Sequence, residues 1–198
     1  MKVLIACEYS GVVRSAFRTL GHNAYSCDIL PAEDSQEFHL KGNVLTYLDA
    51  SWDLMIAHPP CTHLAVSGAR HFKYKQKQQL ESLEFVRLLM NAPIAKIAIE
   101  NPVSIISTHI KKPDQIIQPW QFGHKTNKKT CLWLKNLPKL VSTNIVIPEY
   151  SYTKSGKKYD KWWLYTSSLP INIRGHIRSK TFKGIAEAMA IQWGMNDL

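Results

Sequence analysis

The chain alternates short apolar runs with polar turns and stretches of apolar residues at helical spacing. Asp53-Leu54-Met55-Ile56-Ala57 is an apolar run that stops at His58-Pro59-Pro60-Cys61-Thr62. Such a run predicts a short buried strand, because proline cannot supply the next ladder hydrogen bond. Residues 3–7 form a second apolar run, followed by Glu8-Tyr9-Ser10-Gly11. Val12, Val13, Ala16, Phe17 and Leu20 then recur at helical spacing, and Gly21 makes a C-terminal stop. Strands are also expected at Ala24–Cys27, ending in Asp28, at residues 95–99, ending in Glu100-Asn101-Pro102, and at residues 130–134. Lys75 to Asn91 predicts an amphipathic helix whose stripe of Leu80, Leu83, Val86, Leu89 and Met90 reads as core packing. Phe182 to Trp193 predicts another helix. Residues 32–41 read as a loop, Gly42 to Leu45 as a short strand or turn, and residues 62–71 as a loop or broken helix. Residues 149–165 read as a poorly structured or hairpin-like excursion.

Strand, one-glycine loop and helix make the opening of a nucleotide-binding α/β unit. Cys7 and Glu8, Asp28, His58 to Cys61, and Glu100 to Pro102 all fall at the carboxyl ends of successive predicted strands. If those strands are parallel, the groups share one sheet edge, where open α/β folds bind ligands. Each has a bland reading too. Cys61 suits a reactive thiol at that edge, but free cysteine is also a common core filler. Gly11 alone is no dinucleotide fingerprint. Asp28 stands where such folds hydrogen-bond a ribose, and it equally suits a cap for the turn near Pro31.

Size and charge narrow the class. A chain of 198 residues predicts a single globular unit over residues 1–198, and no apolar run approaches a membrane span. Four cysteines without paired spacing argue against a disulfide framework or structural zinc, which points to no metal and a reducing, cytoplasmic setting. The net charge of +10 is concentrated: residues 1–110 carry ten basic and ten acidic side chains, residues 111–183 fifteen against three. Such a block favours a polyanion, so nucleic acid is the expected partner, with Lys125, Lys128, Lys129, Lys157 and Lys158 as contacts. The alternative is a solvated surface that aids solubility. Interleaved lysines and aromatics around residues 149–180 suit single-stranded nucleic acid, or else anchor a loop.

A thiol and a carboxylate on adjacent strand ends suit attack on an electron-poor ring, the thiolate adding while the acid serves a ring nitrogen. Here the chain resembles the DNA cytosine-C5 methyltransferases. Pro59-Pro60-Cys61 is similar to the family's nucleophile motif, Glu100-Asn101-Pro102 to its Glu-Asn motif, and Gly184 to Gln192 to its closing helix. The match covers most of residues 1–134 and the last helix. It implies the class I methyltransferase (Rossmann-like) fold, a mostly parallel sheet with helices on both faces, and S-adenosylmethionine as cofactor. By this resemblance Cys61 attacks cytosine C6, Glu100 engages N3 with Asn101 beside it, and Cys7, Glu8, Tyr9, Ser10, Gly11, Asp28, Ile29, Asn43 and Pro59 line the cofactor site. DNA is the implied substrate. Three features depart from the pattern. The glycine-rich first loop is replaced by Ala6-Cys7-Glu8-Tyr9-Ser10-Gly11, and Asn43 stands where an acid is expected. The Gln-x-Arg-x-Arg segment gives way to His124-Lys125-Thr126-Asn127-Lys128, with no room for a large recognition domain. Alternatives are methylation of another base position or of free nucleotides, and a nucleic-acid-binding protein on a degenerate form of this fold. The proline pair also resembles the corner of amino-methyltransferases, which carry an aromatic at the position of Cys61.

Overall fold

The computed structural model describes residues 1–195. Its centre is a seven-stranded sheet. The chain enters as β1 (Lys2–Ala6), crosses through α1 (Val12–Thr19), and continues into β2 (Asn23–Asp28), β3 (His39–Lys41) and β4 (Leu54–Ala57). After α2 (Gln76–Met90) come β5 (Lys96–Pro102), the single turn α3 (Ile106–His109), β6 (Gln115–Ile117) and β7 (Thr130–Lys135). A separate hairpin, β8 (Tyr150–Tyr152) and β9 (Lys158–Asp160), leads into α4 (Lys161–Ser168), α5 (Ile171–Ser179) and α6 (Lys183–Gly194).

The strand order is β3-β2-β1-β4-β5-β7-β6. The first five are parallel neighbours, whereas β7 runs antiparallel to both β5 and β6. Period-2 alternation divides the core. Val3 and Ile5 of β1, with Leu54 and Ile56 of β4, face α1 and α6, where they meet Val13, Phe17, Ile185, Met189 and Trp193. Leu4, Ala6, Met55 and Ala57 face the other way, onto Leu83, Val86 and Leu89 of α2. Burial on both faces explains why these strands read as unbroken apolar runs. This order, with one reversed strand and helices on both faces, is the Rossmann-like fold of class I methyltransferases.

Several expectations need correction. Residues 32–41 are not all loop: His39–Lys41 pair in parallel with Ser26–Asp28, and buried His39 bonds Ser26 Oγ through Nδ1 at 2.9 Å. A three-residue strand is too short to leave a visible period. Of the alternatives left open, Gly42 to Leu45 takes the turn, with a 3-10 helix over Val44–Tyr47, and the segment after Cys61 takes the broken helix, as 3-10 helix over Val66–Tyr74. Helix α3 and strand β6 had no sequence signature. The excursion contains the expected hairpin, but two helices follow it, and the local reason is Asp160. Its side chain accepts from Trp163 N and so caps α4.

Asp160 also ties this region to the sheet. Oδ1 accepts from Thr126 Oγ1 at 2.7 Å, and Oδ2 accepts from the Asn127 backbone at 2.8 Å and its Nδ2 at 3.1 Å. Burial would raise this carboxyl, but the bonds from Thr126, Trp163 and Asn127 outweigh it and hold the group below its usual range. Asp160→Ala is therefore expected to cost about 2 kcal/mol at neutral pH. The contribution is complete above the ordinary aspartate value and disappears as pH falls through the lower folded-state value. Thermal unfolding of both proteins from neutral pH to about pH 3 should show the gap closing in acid. No helix among the described residues is long and apolar enough to cross a membrane.

Candidate active site

The sheet reverses its winding between β1 and β4, which opens a crevice at their carboxyl ends, the usual ligand position in such folds. Cys7, Glu8, Tyr9 and Ser10 of the first loop line it with His58, and Ser179, Lys180 and Thr181 beyond α5 form its other wall. Including its open mouth, the crevice encloses about 330 Å³. The first loop is held tightly. Cys7 adopts a left-handed φ of 59°, and Gly11 one of 71° at the start of α1. Glu8 is only 4% exposed and turns inward, accepting from Val13 N at 2.7 Å and Arg14 N at 3.1 Å. It thus caps the positive end of α1. Burial pushes the Glu8 carboxyl up, against the pull of His58 and those two amides. Burial, then Asp28 and Cys27, push the Cys7 thiol up strongly, which leaves it an unreactive thiol.

A second group gathers where β4 and β5 end side by side, Ala57 registered with Ile99. His58 Nδ1 donates to Glu100 Oε2 at 2.9 Å, with the two side chains 9% and 14% exposed. Asn101 Nδ2 donates to the Pro59 carbonyl at 2.8 Å, fastening the proline corner to β5. Burial alone would raise Glu100, but the hydrogen bond and charge of His58, with Lys128 adding to them, bring it below the ordinary carboxylate range. Cys61 is exposed as a residue. Its thiol is nevertheless raised, first by the protein massed around it and then by Glu100, while Lys128 opposes the shift. Thiol, carboxylate and lysine therefore feel one another's charge. Glu100 and Lys128 also border a small neighbouring cavity with Thr130, Thr181, Phe182 and Ile185.

The crevice thus unites Cys7, Glu8, Tyr9 and Ser10, and the strand ends join Asn101 to Pro59 beside Glu100, with Cys61 near enough for the charge of Glu100 to act on its thiol. The remaining expected cofactor residues stand outside the crevice wall. Asp28 closes β2 and accepts from Leu30 N at 2.9 Å, and neighbouring Ile29 is 74% exposed. Asn43 caps the 3-10 helix through Leu45 N. Space above Gly11 is filled by the Arg14–Asp34 ion pair, which a Cβ there would strike. Of the expected nucleic-acid contacts, Lys125 pairs with Glu149 at 3.1 Å, and Lys128 Nζ donates to the Arg178 carbonyl at 2.7 Å. The charge of Lys129 is felt by the Cys131 thiol. Lys157 and Lys158 lie on the hairpin against the rings of Tyr159 and Tyr150.

Sequence reasoning missed the wall at 179–181. It comes from the end of α5, far from any strand end, and is fastened by contacts that leave no motif. Glu33 pairs with His176 at 2.5 Å and Lys180 at 2.6 Å, while Tyr9 shares a hydrogen bond with Ser179 at 2.7 Å. Among the described residues no cluster of three or more His, Cys, Asp or Glu is placed to hold a metal ion.

No protein-family model and no curated protein matches the chain. Among solved structures, similar chains include one described as a DNA modification methyltransferase encoded within a prophage (E. coli), at 14% identity and a TM-score of 0.44. The alignment covers 67% of this chain and 45% of that one, so this chain spans less than half the length of its neighbour. Likeness of that degree carries no information about activity.

Proposed function

We propose that the protein is an S-adenosylmethionine-dependent nucleic-acid methyltransferase that acts on C5 of cytosine, in DNA, through covalent attack by Cys61. The observation that supports this reading is that Cys61 follows β4 and Glu100 lies at the end of neighbouring β5, beside the crevice at the winding reversal, with Glu100 and Lys128 near enough for their charges to act on the Cys61 thiol. Cys61 attacks as thiolate, and Lys128 favours that form. Glu100 has Oε2 engaged by His58, which leaves Oε1 for the base edge, where it accepts from the exocyclic amine and relays to N3 a proton taken up from solvent with the substrate as sulfur adds at C6. Asn101 holds the proline corner and with it the path of the chain into Cys61.

The crevice suits the cofactor chemically. His58 Nε2 is buried there without a hydrogen-bond partner among the described residues, so it calls for a polar ligand group. In this reading Asp28 at the end of β2, outside the crevice wall, meets the sugar hydroxyls, and exposed Ile29 beside it meets the purine. When bound, S-adenosylmethionine supplies an electrophilic methyl group. A base inside duplex DNA must leave the stack to reach Cys61.

The test is transfer of a labelled methyl group from S-adenosylmethionine to DNA, RNA and free cytidine nucleotides, followed by nucleoside analysis. Label in 5-methylcytosine from DNA is the expected result; label on an exocyclic amine, or none on any substrate, contradicts it. One observation favours a second reading, a nucleic-acid binder without cofactor: the Arg14–Asp34 pair occupies the space over Gly11. Calorimetry with S-adenosylhomocysteine separates the two, because the binder gives no heat.

The basic hairpin supplies a further prediction. Lys157→Ala and Lys158→Ala should each reduce the slope of log affinity against log salt by about 1, without changing methyl-cytosine identity. An unchanged slope in fluorescence titrations across a salt series would make these lysines ordinary solvated surface.

A further inference from the structure

His58 stands between the two halves of the site. Its ring lines the crevice beside Cys7, Glu8 and Ser10, and its Nδ1 grips Glu100 on the next strand. The side chain is more than nine-tenths buried, yet Nε2, on the other edge of the ring, has no hydrogen-bond partner among the described residues. A buried ring nitrogen left open is destabilising, so a ligand that satisfies it gains affinity. Because the ring is planar, fixing Nε2 also fixes the direction of Nδ1–H, and hence the carboxylate that Nδ1 holds.

Resting on the methyltransferase reading, we infer that His58 is a positioning residue that couples the crevice to Glu100: a cofactor group hydrogen-bonded at Nε2 orients Glu100 Oε1 for the cytosine. No proton needs to move for this coupling. It makes binding of cofactor and of the target base mutually reinforcing, since linkage is reciprocal. The environment is suited to a single ring orientation. Glu100 accepts from Nδ1, and the carboxyl of Glu8, beside the ring in the crevice wall, is lowered by the nearness of His58, while Lys128 adds its charge at Glu100.

His58→Asn isolates the two arms. The asparagine Nδ2 overlies the histidine Nδ1 and can still donate to Glu100, whereas nothing replaces Nε2. Affinity for a cytosine-containing DNA oligonucleotide is measured with and without saturating S-adenosylhomocysteine, in the wild-type protein and in His58→Asn. The wild type should bind DNA about 5- to 150-fold tighter with the cofactor product present, the usual span of such couplings, and the variant should lose most of that factor. Under turnover the variant should show a lower kcat, and its KM for DNA should no longer fall as cofactor rises. Full coupling retained in His58→Asn, or a wild type that binds S-adenosylhomocysteine and shows no coupling, overturns the inference while leaving the methyltransferase reading intact. A wild type that binds no S-adenosylhomocysteine overturns both.

Discussion

Cys61→Ala is expected to reduce methyl transfer by roughly 10³-fold or more, the scale seen when a covalent nucleophile is removed. It should leave folding and cofactor binding almost unchanged. Cys61 is exposed and outside both core clusters, so stability should move by no more than about 0.5 kcal/mol. The crevice wall is built from Cys7 to Ser10, His58 and residues 179–181, and Cys61 is not part of it. Calorimetry with S-adenosylhomocysteine alongside transfer assays therefore separates lost chemistry from lost binding. The pH dependence has a defined sign. Burial and Glu100 raise the Cys61 thiol, so the reactive thiolate is scarce at neutral pH and the wild-type rate should climb toward alkaline pH. Since Lys128 opposes that shift, Lys128→Ala should move the climb to still higher pH.

The second large effect is structural. Gly184 lies in the first turn of α6, directly against the Phe122 carbonyl oxygen, and a Cβ at this position would overlap that oxygen and approach His124 Nε2 at 3.2 Å. Its own N–H donates to His124 Nε2 at 2.9 Å, so the helix cannot back away without losing that bond. Gly184→Ala is expected to cost about 3 kcal/mol, the upper end of overpacking, because the obstacle is backbone and not a movable side chain. The consequence reaches the site. Ile185 borders the cavity beside Glu100 and Lys128, and Ala186, Met189 and Trp193 farther along α6 fill the core under β1 and β4. Denaturant unfolding should show a lower midpoint at an unchanged slope. Gly175 provides the control, since a Cβ there meets nothing within 4 Å.

The two effects differ in how far the sequence announced them. Cys61 and Glu100 were visible because strand ends are punctuated: an apolar run closed by proline and another closed by an acid are signals carried by a few consecutive residues. Strand β1 was legible as an unbroken apolar run, and helices α1 and α6 from apolar residues at helical spacing. The contact between Gly184 and Phe122 joins residues far apart in the chain, and no local pattern encodes it. Helices α4 and α5 escaped for a different reason. The Trp162-Trp163-Leu164-Tyr165 run has no clean amphipathic period, and α5 buries no residue fully, so neither shows the apolar stripe that marks a packed helix. The cap at Asp160 was the available signal.

The chemistry of His58 was hidden by its position. A histidine before a proline pair has no meaning until β4 and β5 are set side by side, when Nδ1 is seen to hold Glu100 and Nε2 to be buried without a partner among the described residues. The same holds for the wall at 179–181, which is held against the first loop by the grip of Glu33 and Tyr9 on the end of α5.

The most direct measurement of the central claim uses DNA in which cytosine carries fluorine at C5. After thiol addition at C6 and methyl transfer, the fluorine cannot leave as a proton does, so the bond to sulfur persists. Incubation with S-adenosylmethionine should give a denaturation-resistant protein–DNA complex whose mass includes the oligonucleotide and one methyl group, with the crosslink at Cys61 by peptide mapping and no complex from Cys61→Ala. Methylated cytosine formed without any such complex, or a complex linked through Cys7, would contradict it.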